Sequence, residues 1–184
     1  FENVGFYYLA GHGVSQKMID DTYAAAARFH AQPMAAKTAV KVDEHNIGYM
    51  PIATKAPPNA AAQGKKPSQN EAYFLRRERS PDDPDVLSGR RFHAPNKWPA
   101  DLPGFCETTL AYIDTLEALC RKLVKLYALA LDLPETFFDK CFAKPHMILR
   151  MSRYPQIDAA DESVESLVPH TDSGFMTLLP PNKV

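Results

Sequence analysis

The chain has 184 residues, of which 45% are hydrophobic, 23% charged and 10% aromatic, enough for one sizeable core in a single domain or in part of a larger one. Lys and Arg number 21 against 22 Asp and Glu, a formal charge of −1, so no global positive field exists to hold a polyanion, which argues against a dedicated nucleic-acid or anionic-membrane binder. No apolar run approaches the ~18 residues of a membrane span, and 16 prolines against 8 glycines describe a loop-rich globular protein.

In chain order, residues 4–9, rich in aromatic and aliphatic side chains, predict a short strand. Gly11-His12-Gly13 reads as a turn. Ser15 can cap a helix that carries Met18, Ile19, Tyr23, Ala26 and Phe29 on one face, and Pro33 stops it. Residues 51–70, with four prolines and no aromatic, predict a long loop or a lid. Glu71–Leu75 reads as a strand, and Arg76 to Pro99 as a charged, proline-punctuated connection. Apolar residues then recur at helical spacing from Pro103 to about Leu131, predicting an amphipathic helix ~40 Å long. Pro134 to Phe138 begins a short helix. The period then changes to two: Ile148, Arg150, Ser152 and Tyr154 fall on one strand face, and Leu149, Met151 and Arg153 on the other. An acidic loop leads to Leu167-Val168-Pro169-His170-Thr171-Asp172, and Phe175–Leu179 predicts a last strand. Strand-like segments near both ends would leave costly unpaired edges, so the sequence reads as a fragment of a longer protein.

Three widely spaced cysteines, Cys106, Cys120 and Cys141, form no Cys-x-x-Cys pair. They encode neither a zinc ribbon nor a disulfide scaffold and fit a reducing, cytoplasmic setting.

The chemistry concentrates at His170 and Asp172. On an extended backbone, residues i and i+2 project to the same face, so an imidazole and a carboxylate can reach one metal ion. They amount to two-thirds of the facial triad that holds Fe(II) in non-heme oxygenases. Alone the pattern is weak: six histidines give about 0.7 such pairs by accident, and the plain alternative is a surface His and Asp at a turn. A flavin or nicotinamide enzyme and a serine hydrolase are disfavoured, because neither Gly-x-Gly-x-x-Gly after a strand nor a Gly-x-Ser-x-Gly elbow is present.

The order of motifs is more specific than any one of them. It comprises Gly5-Phe6-Tyr7-Tyr8-Leu9 with Gly11-His12-Gly13-Val14, Asn70-Glu71-Ala72-Tyr73-Phe74, Asn96-Lys97-Trp98-Pro99, Leu102-Pro103-Gly104-Phe105, Leu129-Ala130-Leu131-Asp132-Leu133-Pro134, Leu149-Arg150-Met151-Ser152-Arg153-Tyr154-Pro155 and His170-Thr171-Asp172. This series resembles the isopenicillin N synthase-like family of Fe(II)/2-oxoglutarate-dependent dioxygenases. The resemblance implies an α+β fold, with N-terminal helices (residues 1–145) packed on the first strands (146–184) of an incomplete double-stranded β-helix, or jelly roll. It implies that His170 and Asp172 ligate Fe(II), that the Tyr154 hydroxyl helps to hold 2-oxoglutarate, and that Ser152 lies beside the same cosubstrate. A third ligand, a His, and an Arg-x-Ser carboxylate clamp are expected in sequence after Val184. The implied reaction oxidises a small-molecule substrate with O₂, by hydroxylation, desaturation or ring closure, and releases succinate and CO₂. An Fe(II) oxidase of the same fold that uses no 2-oxoglutarate, and a non-catalytic truncated scaffold, remain open alternatives. Arg150 shares the Tyr154 face as either a structural ion pair or an additional anion contact. Arg76 and Arg77 read as a solvated charge run or a substrate-carboxylate contact, and Tyr49 as core or as a pocket wall. His30, His45 and His93 are expected to be solvated, and neither His12 nor His146 has a ligand-like context.

Overall fold

A computed structural model describes residues 5–53, 69–156, 172 and 174–181 of the chain. Helix α1 (Gln16–His30) starts where the sequence places it: the Ser15 hydroxyl accepts a hydrogen bond from the Met18 amide at 3.2 Å, satisfying one of the open donors of the first turn. Its buried stripe is Ile19, Thr22, Ala25 and Phe29. Pro33 ends the first helical run and also opens the next, α2 (Met34–Ala39), because a ring with φ −54° suits a helix start. Strand β1 (Gly48–Met50) follows, then β2 (Glu71–Arg76), the short α3 (Pro84–Leu87, capped by Asp83), the long α4 (Phe105–Ala130) and β3 (Ile148–Arg153). Gly104, with φ 75°, turns the chain into α4.

The strands form one antiparallel sheet in the order β1-β2-β3. Register pairs Glu71 with Arg153, Tyr73 with Met151 and Leu75 with Leu149 on one face; Ala72 with Ser152 and Phe74 with Arg150 lie on the other. The first face carries the core. Phe29 of α1, fully buried, sits between Tyr73, Phe105 and Tyr49 with ring centroids 4.3, 5.7 and 5.9 Å away. Ala25, Val40, Ile113, Leu75 and Met151 complete the cluster. Val14, Ile19, Tyr112 and Leu116 form a second cluster between α1 and α4. Burying side chains of this size contributes about 1.5–3 kcal/mol each.

Several expectations are corrected. Residues 5–9 form no strand, and Phe6 and Tyr8 are exposed: local β-propensity found no partner strand among the described residues. Residues 134–138 form turns rather than a helix, and 175–179 no strand. β1 lies just before the predicted loop, and residues 54–68 of that loop lie outside the described residues. The sheet joins 48–76 to 148–153.

Candidate functional site

Alternation along β3 follows the predicted faces. Met151 is buried and Leu149 packs against the core, while Ile148 and Arg150 are exposed on the opposite face. Ser152, half-buried, belongs to that second face, and Tyr154 follows one residue beyond the strand with an exposed ring. Ser152 and Arg150 are thus one strand repeat apart on that face, about 6.6 Å, and continued extended backbone would carry Tyr154 to the same side. All three are hydrogen-bond donors to an anion.

Of its two readings, Arg150 does not take the structural ion pair. It is exposed, and among the described residues no carboxylate pairs with it. Its Nη2 donates to the Oδ1 of the buried Asn70 at 3.2 Å, and its guanidinium lies over the Phe74 ring, 5.6 Å from the centroid. Arg76 is buried rather than solvated: its Nε donates to the His45 carbonyl at 3.1 Å and its guanidinium covers Phe92 at 4.7 Å. Arg77 pairs with Glu117 at 3.7 Å. Neither arginine is therefore a plain member of a solvated run. Tyr49 is core, not pocket wall.

The side of the sheet facing the helices holds a polar hub that sequence reasoning missed. The Glu71 carboxylate, with only 2% of its side chain exposed, accepts from Lys37 Nζ at 2.9 Å, from Arg153 Nη1 at 2.8 Å and from the Tyr49 hydroxyl. His30 Nδ1 lies 3.5 Å from Glu71 Oε1, while its Nε2 is 3.0 Å from the Met151 carbonyl. A carbonyl can only accept, so Nε2 carries the proton, and Nδ1 of the neutral ring has no hydrogen-bond partner among the described residues. Burial alone would raise the Glu71 carboxyl, but the hydrogen bonds from Tyr49, Lys37 and Arg153 outweigh it and hold the group at about 2. Burial first, then the bond to Glu71, pushes the Tyr49 phenol far up, and burial pushes His30 below its ordinary value. The signal for the hub was a lone carboxylate opening an otherwise apolar strand, Glu71 before Ala72-Tyr73-Phe74-Leu75, which is rarely buried unless paired.

The remaining histidines are also placed. His30 and His93 are buried and His45 is half-buried, contrary to the expectation that they are solvated. His12 Nδ1 accepts from the Val14 amide, a turn contact, and the exposed His146 ring lies edge-on to His93 at 4.6 Å.

Asp172 is exposed, and its Oδ2 accepts a 2.6 Å hydrogen bond from Thr177 Oγ1. A ligating carboxylate is commonly oriented by such a donor, so a hard oxygen ligand at this position fits a metal ion. The segment that follows runs along the helices: Phe175 packs against Tyr127, Phe138 and Phe142, and the Pro180 carbonyl accepts from the Tyr23 hydroxyl at 2.8 Å. His170 lies outside the described residues. The structure therefore puts Ser152 and Arg150 on one face of β3 with Tyr154 just past its end, while the pairing of His170 with Asp172 rests on their spacing in the sequence. Among the described residues no group of three His, Cys, Asp or Glu could hold a metal, and no helix is long and apolar enough to cross a membrane.

Comparison with known proteins supplies the class. The family model of the N-terminal region of non-haem dioxygenase in morphine synthesis matches residues 1–101. The 2-oxoglutarate-Fe(II) type oxidoreductase hxnY of Emericella nidulans is 31% identical over 95% of this chain and 51% of its own length. Kihadalactone A synthase LFS of Citrus sinensis is 32% identical over 98% of this chain and 54% of its own, and the 2-oxoglutarate-dependent dioxygenase ecdK of Aspergillus rugulosus 30% over 97% and 56%. The chain thus spans about half the length of the curated relatives it matches. In fold it resembles a 2OG-Fe(II) oxygenase family protein from Caulobacter crescentus (TM-score 0.65, 23% identity, 79% of this chain and 45% of that one). It also resembles a full-length Neurospora crassa protein solved in complex with alpha-KG (TM-score 0.57, 23% identity, 75% and 41%). The chain belongs to the non-haem dioxygenase family, and its relatives include proteins named for Fe(II) and for dependence on 2-oxoglutarate.

Proposed function

We propose that this chain is the N-terminal part of a non-heme Fe(II), 2-oxoglutarate-dependent dioxygenase that hydroxylates or desaturates a small-molecule substrate with O₂. Succinate and CO₂ are the coproducts, and β1–β3 are the first strands of a jelly roll that later sequence completes. The observation that carries this reading is the Ser152 hydroxyl on the outer face of β3, with Tyr154 exposed one residue past its end, in a chain of this family. Bound Fe(II) and 2-oxoglutarate would supply O₂ activation coupled to oxidative decarboxylation.

The chain's own residues have narrower tasks. His170 and Asp172 hold the ion, and Thr177 orients the Asp172 carboxylate through its hydrogen bond. Tyr154 and Ser152 donate hydroxyl hydrogens to a 2-oxoglutarate carboxylate and so fix the direction in which the cosubstrate lies. The packed aromatic layer behind the sheet keeps β3 in register, so that the two hydroxyls keep their spacing. The free thiols of Cys106, Cys120 and Cys141 support a reducing, cytoplasmic setting within the same reading. An oxidase that dispenses with 2-oxoglutarate is disfavoured, since the relatives named above include proteins described by their dependence on it.

The test is calorimetry with Mn(II) and then 2-oxoglutarate on the full-length protein and on His170→Ala, together with succinate release under Fe(II). Loss of a ligand is expected to weaken metal binding at least about tenfold. Equal affinity in both proteins would remove His170 from the site. For residues 1–184 alone, binding is expected to be weak or undetectable, because two ligands compete poorly with water for an octahedral ion. A Tyr154→Phe variant should retain the metal and lose about 1.5–3 kcal/mol of 2-oxoglutarate binding, the range of a hydrogen bond to a charged group.

A further inference from the structure

We propose that Arg150 binds a carboxylate of the primary substrate, so that the enzyme's substrates are organic acids or carry an acidic group. The proposal rests on the oxygenase reading and extends it along the same strand. Ser152 and Arg150 share one face of β3 about 6.6 Å apart, and Tyr154 follows at the position that extended backbone would carry to the same side. If Tyr154 and Ser152 hold the cosubstrate, Arg150 is the next group along the strand.

The surroundings of Arg150 separate it from the structural arginines. Arg153, on the opposite face of the same strand, meets a buried carboxylate at 2.8 Å, and Arg79 meets Asp83 at 3.1 Å. Arg150 is instead held by neutral groups. Its Nη2 bonds to the side-chain carbonyl of Asn70, a residue 3% exposed, and the flat of its guanidinium rests over the Phe74 ring. Asn70 is itself fixed at the start of β2, whose six residues are all buried. The side chain is therefore anchored at one edge and along one flat, while its positive charge meets no Asp or Glu among the described residues. A guanidinium has five N–H donors in a rigid fork, and among the described residues a single one is used. Such a group, oriented in advance and not neutralised, suits bidentate capture of a carboxylate. Glu71 cannot neutralise it, because Glu71 lies on the other face and already accepts from Lys37, Tyr49 and Arg153.

Two sources of the carboxylate are chemically equivalent, the substrate and 2-oxoglutarate itself, and a third occupant would be an acidic side chain elsewhere in the full-length protein. One experiment separates them. Full-length wild type, Arg150→Gln and Arg150→Lys are loaded with Mn(II), and 2-oxoglutarate affinity is read by calorimetry. Thermal shifts are then recorded for the loaded proteins with hexanoate, benzoate and 3-phenylpropanoate, each against its primary amide. The expected result has three parts: unchanged 2-oxoglutarate affinity, a preference of wild type for at least one carboxylate over its amide, and loss of that preference by about tenfold in Arg150→Gln with partial rescue in Arg150→Lys. A fall in 2-oxoglutarate affinity in Arg150→Gln would assign the group to the cosubstrate and overturn the substrate claim. So would an absent preference in wild type, a preference that survives in Arg150→Gln, or a lowered melting temperature of unliganded Arg150→Gln with the preference intact, which marks a structural ion pair. If wild type binds neither Mn(II) nor 2-oxoglutarate, the oxygenase reading itself falls, an outcome distinct from all of these.

Discussion

At the scale of single residues, the Glu71 hub governs how the fold responds to acid. The Glu71 carboxyl is held at about 2 in the folded chain against 4.5 as a free side chain. A depressed carboxyl contributes stability that is complete above the unfolded value and is lost as pH falls through the folded one, here from about pH 4.5 down to about pH 2. His30 acts earlier. Its folded pKa lies below its free value of 6.5, chiefly through burial, so the unfolded chain takes up the proton first and stability declines as pH drops below about 6.5. Urea unfolding between pH 8 and pH 3 should therefore show two successive losses, and His30→Gln should flatten the upper one; an unchanged slope between pH 6.5 and 5 would contradict this. Glu71→Ala leaves Lys37 buried without its counter-ion and is expected to cost about 3–5 kcal/mol at pH 7. None of this was legible from local patterning. Lys37 and His30 sit on helices 34 and 41 residues before Glu71, and Arg153 comes 82 residues after it, so only the folded chain brings the charges together.

At the scale of elements, the helices were the more legible part. Ser15 and the spacing of Ile19 and Phe29 located α1, and the long apolar stripe located α4 to within two residues at its start and one at its end. β2 and β3 were also readable, each a run of six residues with β-type composition or alternation. β1 was not, because three residues carry too little period and its position depends on a partner contact. That contact is the parallel bridge of Lys41 with Tyr49, where the Tyr49 amide donates to the Val40 carbonyl at 2.7 Å. Gly48 makes the approach possible: a Cβ there would stand 2.3 Å from the Val40 carbonyl oxygen, on a backbone with φ +109°. Gly48→Ala should therefore destabilise by more than the roughly 1–3 kcal/mol of backbone strain alone. Gly89→Ala, at φ +66° with nothing within 4 Å of its Cβ, should cost only the strain. Comparing the two urea midpoints checks this, and equal losses would mean that the close approach of Val40 carries no cost.

For the molecule as a whole, the site was legible as chemistry but not as geometry. Ser152 and Arg150 could be put on one face from the alternation of β3, and in the folded chain they share that face, with Tyr154 one residue past the strand end. Burial of Arg150 could not be judged in advance, because what covers a strand face is decided by elements distant in sequence. Phe137, Leu126, Leu129 and Leu131 remain exposed around the end of α4. Residues 1–184 produced alone should bind a hydrophobic dye and associate with rising concentration in sedimentation, whereas the full-length protein should do neither. A monodisperse, dye-silent fragment would show that this surface awaits no covering. The register of β2 against β3 carries a further consequence for biosynthesis. Glu71 meets its partner guanidinium only after 82 more residues have been made. During vectorial synthesis the emerging chain must therefore hold a half-paired strand and an incomplete charge cluster, a delay that loop-closure entropy lengthens and that exposes the nascent protein to chaperones before its sheet can close.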